Sequence, residues 1–199
     1  MNGMKMTREK QIVLILLKPS IIFFYSDHGG PLPRQKRLLY DSGLKVPLII
    51  RYPNKMRAGT IDDRLISFVD FPATLLSLAN IEPPDFMQGQ AFEGKYRSNT
   101  ERQYVHAHAD RFDESTDMIR AIRDKRYKYL KNYYPDKPYY LPLDYRENME
   151  IMKELLQMRN SNKLDANQAL WFRQEKDYEE LFDTQNDPHE LNNIANDST

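Results

Sequence analysis

The sequence contains no cysteine among its 199 residues. This absence excludes disulfides, zinc–thiolate sites, iron–sulfur clusters and cysteine nucleophiles. The chain also lacks an excess of one charge, because 29 basic residues are balanced by 29 acidic ones. Nucleic-acid-binding domains usually carry a basic excess, so we expect no nucleic-acid partner.

Long apolar runs are missing as well, since a membrane span takes about 20 consecutive apolar residues. The run nearest to the N-terminus, residues 12–17, follows Lys5, Arg8 and Lys10. It resembles the start of a signal peptide, but it is short and no small-residue cleavage site follows it. We interpret the run as a buried strand or the end of a helix, and the sequence leaves the localisation unassigned.

A loop of 19 residues separates two predicted strands in the first part of the chain. Residues 20–26 are mostly β-branched or aromatic and precede Gly29-Gly30, a pattern typical of a strand that is buried on both faces in a parallel sheet. Residues 46–52 predict a second strand. The loop between them, residues 27–45, is too long for a simple connection, and such loops carry the sites of many α/β proteins.

A helix follows, and then the pattern changes. Asp70 is the predicted N-cap of this helix, and its apolar face comprises Leu75, Leu76, Leu78 and Ala79. Residues 82–100, which contain proline, glycine and asparagine, mark a boundary. Beyond it the sequence predicts a hairpin, a helix, a strand and a last short helix, at residues 117–131, 145–160, 180–183 and 189–195. The prediction is an α/β region at 19–100, followed by a small antiparallel α+β region at 101–199.

Asp27 and His28 give the strongest local signal for chemistry, because they stand at the end of the first predicted strand. Adjacent side chains of a continuing strand point to opposite faces, so both can reach one ion only if the backbone turns, and Gly29-Gly30 allows a turn. A carboxylate suits Ca²⁺, Mg²⁺ or Mn²⁺, whereas the imidazole nitrogen argues against a site made of oxygen ligands alone. The alternative is a capping aspartate and a solvated histidine.

Four cations on the same loop and at its exit could receive an anion such as sulfate or phosphate; they are Arg34, Lys36, Arg37 and Lys45. The alternative is a solvated basic loop.

His106 and His108 would share one face of a strand, and because no third ligand has a useful spacing, we favour a strand pair over a metal site. A group of tyrosines could stack on a sugar or fill the core, and we favour the core; they are Tyr127, Tyr129, Tyr133, Tyr134, Tyr139 and Tyr140.

Several longer blocks occur in a fixed order: SDHG at 26–29, KRLLYDSGLKVPLIIR at 36–51, SFVDFPATLL at 67–76, DMIRAIRD at 117–124, RYKYL at 126–130, EELFD at 179–183 and NDPHEL at 186–191. In this order they resemble the sulfatase family of the alkaline-phosphatase superfamily. The blocks after residue 100 resemble the C-terminal subdomain of that family. The resemblance spans roughly residues 20–196, and several ordered blocks are more specific than any single motif.

The resemblance implies part of an alkaline-phosphatase-like sulfatase sheet with its helices, followed by the antiparallel α+β subdomain. It implies that Asp27 and His28 bind a divalent cation, usually Ca²⁺. It also implies that Lys36, four residues before Tyr40, contacts the sulfate of a sulfated small molecule or glycan. The implied reaction is the hydrolysis of sulfate esters or sulfamates, in which a cation and an ammonium stabilise developing charge. Most family members are periplasmic, lysosomal or extracellular.

The sequence departs from the family pattern at the nucleophile. Sulfatases convert the Cys or Ser of a Cys/Ser-x-Pro-x-Arg motif in their N-terminal half into formylglycine, and an Asp-Asp metal pair lies upstream. This chain has no cysteine and no serine with proline two positions later, and residues 1–18 do not resemble the family. We therefore expect a fragment with an incomplete cation site, no catalytic nucleophile and no turnover alone, whose partner is a missing N-terminal half. The alternatives are a fragment of a related phosphodiesterase or phosphonate hydrolase, and a non-catalytic, split or degraded gene product.

Overall fold

The computed structural model describes residues 19–30, 32–112 and 114–197. The apolar run at residues 12–17 therefore lies outside the described residues. The described chain forms two antiparallel sheets, one of two strands and one of four. Its elements are, in order, β1 (Ile22–Tyr25), α1 (Asp41–Leu44), β2 (Leu48–Arg51), a 3-10 turn (Pro53–Lys55), α2 (Asp70–Leu78), β3 (Val105–Phe112), β4 (Ser115–Arg123), β5 (Tyr127–Asn132), α3 (Asp144–Glu147), α4 (Glu150–Asn160), α5 (Ala166–Trp171) and β6 (Glu179–Asp183).

Both strands predicted in the first region exist, but their predicted environment is wrong. β1 and β2 pair antiparallel with each other, with Phe24 opposite Ile49. Phe23 packs on the rings of Phe71 and Phe92, at 6.1 and 6.5 Å between ring centroids. On the other face, Phe24 is 66% exposed and Ile49 is 59% exposed. An apolar run indicates that a strand can be buried on both faces, but it does not specify the direction of its neighbour or which element covers it.

The predicted helix at Asp70 is confirmed as α2, but it buries a different face from the one predicted. Its buried residues are Asp70, Ala73, Thr74 and Ser77, whereas Leu75 is exposed. The Thr74 Oγ1 accepts a hydrogen bond from the backbone N–H of Phe92 at 3.1 Å, and the Ser77 Oγ accepts one from Tyr96 at 2.8 Å. The short polar side chains thus let residues 89–97 lie directly against the helix.

Asp70 belongs to the first turn of α2 and is not its N-cap, which is Val69. Its buried carboxylate accepts hydrogen bonds from the backbone N–H groups of Ser67 and Gln90, at 2.9 and 2.8 Å, and forms an ion pair with Arg102. The carboxylate thus fixes the start of the helix by joining three segments.

The second region forms the four-stranded sheet in the order β3-β4-β5-β6, with antiparallel neighbours throughout. The predicted hairpin is confirmed as β4–β5, and the predicted strand at 180–183 is confirmed as β6. The predicted helix at 145–160 is divided into α3 and α4 at Asn148-Met149, because Met149 has an extended backbone. The predicted last helix at 189–195 is wrong: these residues form turns and irregular chain, and Glu190 has a φ of 54°.

The hydrophobic core lies between the four-stranded sheet and the helices α4 and α5. Leu130 and Phe182 of the sheet and Met152 of α4 are among its most buried members. Residues 38–40 of the long loop also belong to this core, so the second sheet anchors the loop that the sequence singles out. Among the described residues, none of the helices has the length and apolar character needed to cross a bilayer.

Candidate functional site

The side chains of Asp27 and His28 converge on the turn that follows β1. The Asp27 Oδ2 lies 3.5 Å from the His28 Nε2, and the aspartate side chain is 82% exposed. The His28 Nδ1 donates to the carbonyl of Gly29 at 2.5 Å, and the Ser26 Oγ donates to the carbonyl of His28 at 2.6 Å. Because a carbonyl oxygen can only accept, Nδ1 is the donor in this contact, and Nε2 is the ring nitrogen that faces the carboxylate. The backbone therefore turns as both residues need in order to reach one ion.

Close backbone contacts join this turn to later parts of the same loop, at Lys36 and at Gly43. The backbone N–H of Gly29 donates to the carbonyl of Gly43 at 2.8 Å, and the backbone N–H of Lys36 donates to the carbonyl of Gly30 at 3.2 Å. A Cβ on Gly29 would stand 1.9 Å from the carbonyl oxygen of Ser42. Glycine at position 29 is therefore what lets the Asp27–His28 turn rest on the segment that carries Lys36.

The side chain of Lys36 extends over an aromatic ring from the second region. Its Nζ lies 5.4 Å from the ring centroid of Tyr145, and the guanidinium carbon of Arg37 lies 5.2 Å from the same centroid. Tyr145 is carried by α3, more than a hundred residues later in the chain. The loop and the second region thus meet at the predicted sulfate-binding lysine.

A buried group of charges holds the other end of the loop. Lys128 of β5 is 1% exposed, and its Nζ lies 3.0 Å from the Asp41 Oδ1 and 3.1 Å from the Glu190 Oε1. Arg123 adds a second cation at 3.1 Å from Asp41. Burial alone would raise the pKa of Asp41, but Lys128 and Arg123 outweigh it and lower the value. The backbone N–H of Asp41 also donates to the Glu190 Oε2 at 2.6 Å, so both carboxylates are held.

Tyr40 fixes the middle of the loop through a second buried carboxylate. Its hydroxyl donates to the Glu180 Oε2 at 2.8 Å, and the Asn132 Nδ2 donates to the Glu180 Oε1 at 2.6 Å. Burial raises the pKa of Glu180 above its usual value of 4.5, although the hydrogen bonds from Asn132 and Tyr40 oppose the shift. The folded protein therefore holds the Glu180 proton more tightly than the unfolded chain does.

The raised pKa of Glu180 predicts how pH affects stability. A raised carboxyl pKa stabilises the folded state at low pH, and this contribution is lost as pH rises from 4.5 through the folded-state value. Glu180→Gln removes the ionisation and keeps an acceptor for Asn132. We expect the variant to gain stability relative to wild type as pH rises above 4.5, measured by urea unfolding at a series of pH values. Glu154→Gln on α4 is the exposed control. A constant difference between Glu180→Gln and wild type would contradict the prediction.

The remaining residues predicted from the sequence lie apart from the turn or serve the fold. Arg34 stacks on Tyr40 at 3.9 Å and donates to the backbone carbonyls of His189 and Glu190. Lys45 lines a cavity of about 510 Å³ between the loop and residues 184–191. His106 and His108 share a face of β3, as predicted, and both are exposed. No group of three or more possible metal ligands occurs within the described ranges.

The predicted tyrosine group separates into two sets. Tyr139 and Tyr140 are buried in the core, as favoured from the sequence, whereas Tyr127, Tyr133 and Tyr134 are exposed. Tyr129 is half-buried, and its hydroxyl donates to the Glu179 Oε1. Sequence reasoning missed Tyr145, Lys128 and Glu190. The motif blocks RYKYL and NDPHEL contain two of these residues, but only the fold shows that they contact the loop.

Comparison of the sequence with known proteins assigns the chain to a family. Residues 34–171 match the family described as "N-sulphoglucosamine sulphohydrolase, C-terminal". An ulvan-active sulfatase of Formosa agariphila is 60% identical over 181 residues, which cover 91% of this chain and 30% of that relative. An N-acetylglucosamine-6-O-sulfatase of Bacteroides thetaiotaomicron is 30% identical over 118 residues, which cover 56% of this chain and 21% of that relative. These relatives are sulfatases. The chain belongs to the N-sulphoglucosamine sulphohydrolase C-terminal family.

Solved structures confirm the fold. A 2-O GAG sulfatase superposes with a TM-score of 0.60 at 22% identity, covering 89% of this chain and 32% of its own length. A protein solved with its substrate D-glucosamine-2-N,6-O-disulfate gives a TM-score of 0.58 at 24% identity, covering 96% of this chain and 33% of its own length. The predicted sulfatase-type α/β fold is therefore confirmed, and the chain spans about a third of these proteins and of its first curated relatives.

Proposed function

We propose that this chain supplies the sulfate-binding side and part of the cation site of a sulfatase that hydrolyses sulfate esters of carbohydrates. The observation that carries the proposal is the turn after β1. Asp27 and His28 converge there at 3.5 Å, and the backbone of Lys36 hydrogen-bonds to the same turn at Gly30. Possible cation ligands and a possible sulfate ligand are thus built on one compact piece of backbone.

The two side chains fit a divalent cation as a partial ligand set. Donor atoms 3.5 Å apart can both contact one ion at the usual distance of about 2.4 Å. The Nδ1 of His28 already donates to the carbonyl of Gly29, which presents Nε2 as the ligand atom. When bound, the cation would supply positive charge to the sulfate oxygens. The exposed carboxylate of Asp27 suits Ca²⁺, Mg²⁺ or Mn²⁺, and among these we favour Ca²⁺ because it is the cation that the resemblance to sulfatases implies.

The substrate class rests on the relatives. They include an ulvan-active sulfatase and an N-acetylglucosamine-6-O-sulfatase, so we propose a sulfated glycan as substrate. Lys36 is the proposed sulfate ligand. Among the described residues its ammonium forms no ion pair with a carboxylate, and it lies over the ring of Tyr145. A positive group fixed beside a cation site stabilises the charge that develops as the S–O bond breaks.

The experiment measures ligand binding, because this sequence contains no Cys/Ser-x-Pro-x-Arg motif. Calorimetric titration of the purified chain with calcium chloride is expected to show weak binding that Asp27→Ala abolishes. NMR titration with sodium sulfate is expected to shift resonances of the Lys36 loop, and Lys36→Ala is expected to reduce the apparent affinity at least severalfold. Lys55→Ala, an exposed cation of the 3-10 turn, is the control and is expected to leave both titrations unchanged.

Two results would contradict this assignment. Tight calcium binding that persists in Asp27→Ala would place the cation elsewhere. Sulfate binding that Lys36→Ala and Lys55→Ala weaken equally would indicate general attraction between ions and not a site.

A further inference from the structure

We propose that Tyr145 is a positioning residue for Lys36, whose ring holds the lysine ammonium in the place where the sulfate group is received. The inference rests on the proposed function of Lys36 and adds a residue from the second region to the same site. It assigns to α3 a role in sulfate recognition.

The contact between the two side chains has the geometry of a cation–π interaction. The ammonium of Lys36 lies 5.4 Å from the centroid of the Tyr145 ring, within the distance of about 6 Å at which such pairs attract. Lys36 is half-buried and Tyr145 is 44% exposed, so the pair lies at the surface, where a ligand can reach it. The ring therefore selects one among the many conformations of a flexible lysine.

An aromatic ring, unlike a carboxylate, leaves the positive charge of the lysine ammonium available to an anion. A carboxylate would neutralise the ammonium and compete with an incoming anion, whereas an aromatic face orients the ammonium and leaves its charge in place. The guanidinium of Arg37 lies 5.2 Å from the same ring. Two positive groups are thus gathered at one aromatic side chain, which favours an anionic group such as sulfate over a neutral one.

The ring stands on a rigid support. The neighbouring Arg146 is 5% exposed, donates through Nη2 to the carbonyl of Leu141 at 2.6 Å, and lies 4.9 Å from the centroid of Trp171. The backbone N–H of Asp144 donates to the Glu114 Oε1 at 2.8 Å. Both neighbours of Tyr145 are therefore fixed, so its position depends on the fold of the second region and not on the loop.

The experiment compares Tyr145→Leu with Tyr145→Phe in the full chain. Phenylalanine keeps the aromatic face, whereas leucine removes it. In lysine-labelled protein, we expect the ring-current shift of the Lys36 ε-methylene protons to persist in Tyr145→Phe and to vanish in Tyr145→Leu. In titrations with sodium sulfate, we expect the apparent affinity to fall about two- to fivefold in Tyr145→Leu and to be retained in Tyr145→Phe.

Tyr134→Leu is the matched control, because Tyr134 is an exposed tyrosine whose ring lies 4.8 Å from the Lys137 ammonium. It is expected to change only the Lys137 shift and to leave sulfate binding as in wild type. The inference is overturned if Tyr145→Leu keeps the Lys36 shift, or if it binds sulfate like wild type while Lys36→Ala binds more weakly. If Lys36→Ala itself has no effect, the proposed function of Lys36 fails instead.

Discussion

Replacing Lys128 with alanine is expected to lower the free energy of unfolding by about 3–5 kcal/mol, because it leaves buried carboxylates without their shared cation. Lys128 is 1% exposed and contacts Asp41 and Glu190 at 3.0 and 3.1 Å. Burial already raises the pKa of Glu190, and Lys128 opposes that shift. Without the lysine, one carboxylate must take up a proton or the site must open to water. Urea unfolding monitored by circular dichroism measures the loss.

Lys125→Ala is the matched control for this prediction. The Lys125–Glu101 pair, at 3.4 Å, is more than half exposed on both sides, and exposed pairs contribute about 0–1 kcal/mol. A second comparison separates charge from packing: Lys128→Met combined with Glu190→Gln removes one charge of each sign and is expected to recover part of the loss. If Lys128→Ala and Lys125→Ala destabilise equally, the buried charges do not anchor the loop.

Gly29→Ala is expected to destabilise the chain by about 1–3 kcal/mol, the usual range for overpacking, and to weaken calcium binding. The new Cβ would lie 1.9 Å from the Ser42 carbonyl oxygen, and backbone atoms cannot move aside as a side chain can. The hydrogen bond from the Gly29 N–H to the Gly43 carbonyl would have to lengthen. Asp27 and His28 would then move away from the segment that carries Lys36. Urea unfolding and calcium titration of one preparation measure both effects.

Gly30→Ala tests whether position 29 is special within the glycine pair. The nearest atom to a Cβ at Gly30 is the Gln35 Oε1 at 2.8 Å, the end of a flexible side chain that can rotate away. We therefore expect a smaller loss of stability and nearly unchanged calcium binding. Equal losses at both positions would mean that the backbone contact at Gly29 does not hold the turn.

The turn after β1 is the part of the candidate site that could be predicted from sequence. The condition that both Asp27 and His28 reach one ion only if the chain bends comes from strand geometry, and the bend is present. The β4–β5 hairpin was predictable for a similar reason, since two strand patterns flank a short polar connection. Both features are determined by residues that are close together in sequence, so a local sequence pattern is enough to predict them.

The buried face of α2 and the conformation of residues 189–195 depend on contacts between residues far apart in sequence, which a local pattern does not predict. The helical spacing of α2 shows that one face is buried, but the buried face is the one whose Thr74 and Ser77 bind the backbone of residues 89–97. The sequence predicts a helix at 189–195, yet Glu190 takes a φ of 54° and points its carboxylate to Lys128 and the Asp41 N–H. In both cases a side-chain partner distant in sequence determines the structure.

The charges that hold the loop come from parts of the chain that are far apart in sequence. Lys128 lies 87 residues after Asp41, and Glu190 lies 149 residues after it. During synthesis the loop therefore emerges well before either of the groups that anchor it. Contacts over such separations close slowly, because the chain entropy of a large loop must be lost before they form. We therefore expect the turn that carries the proposed ligands to gain its anchoring contacts late in folding.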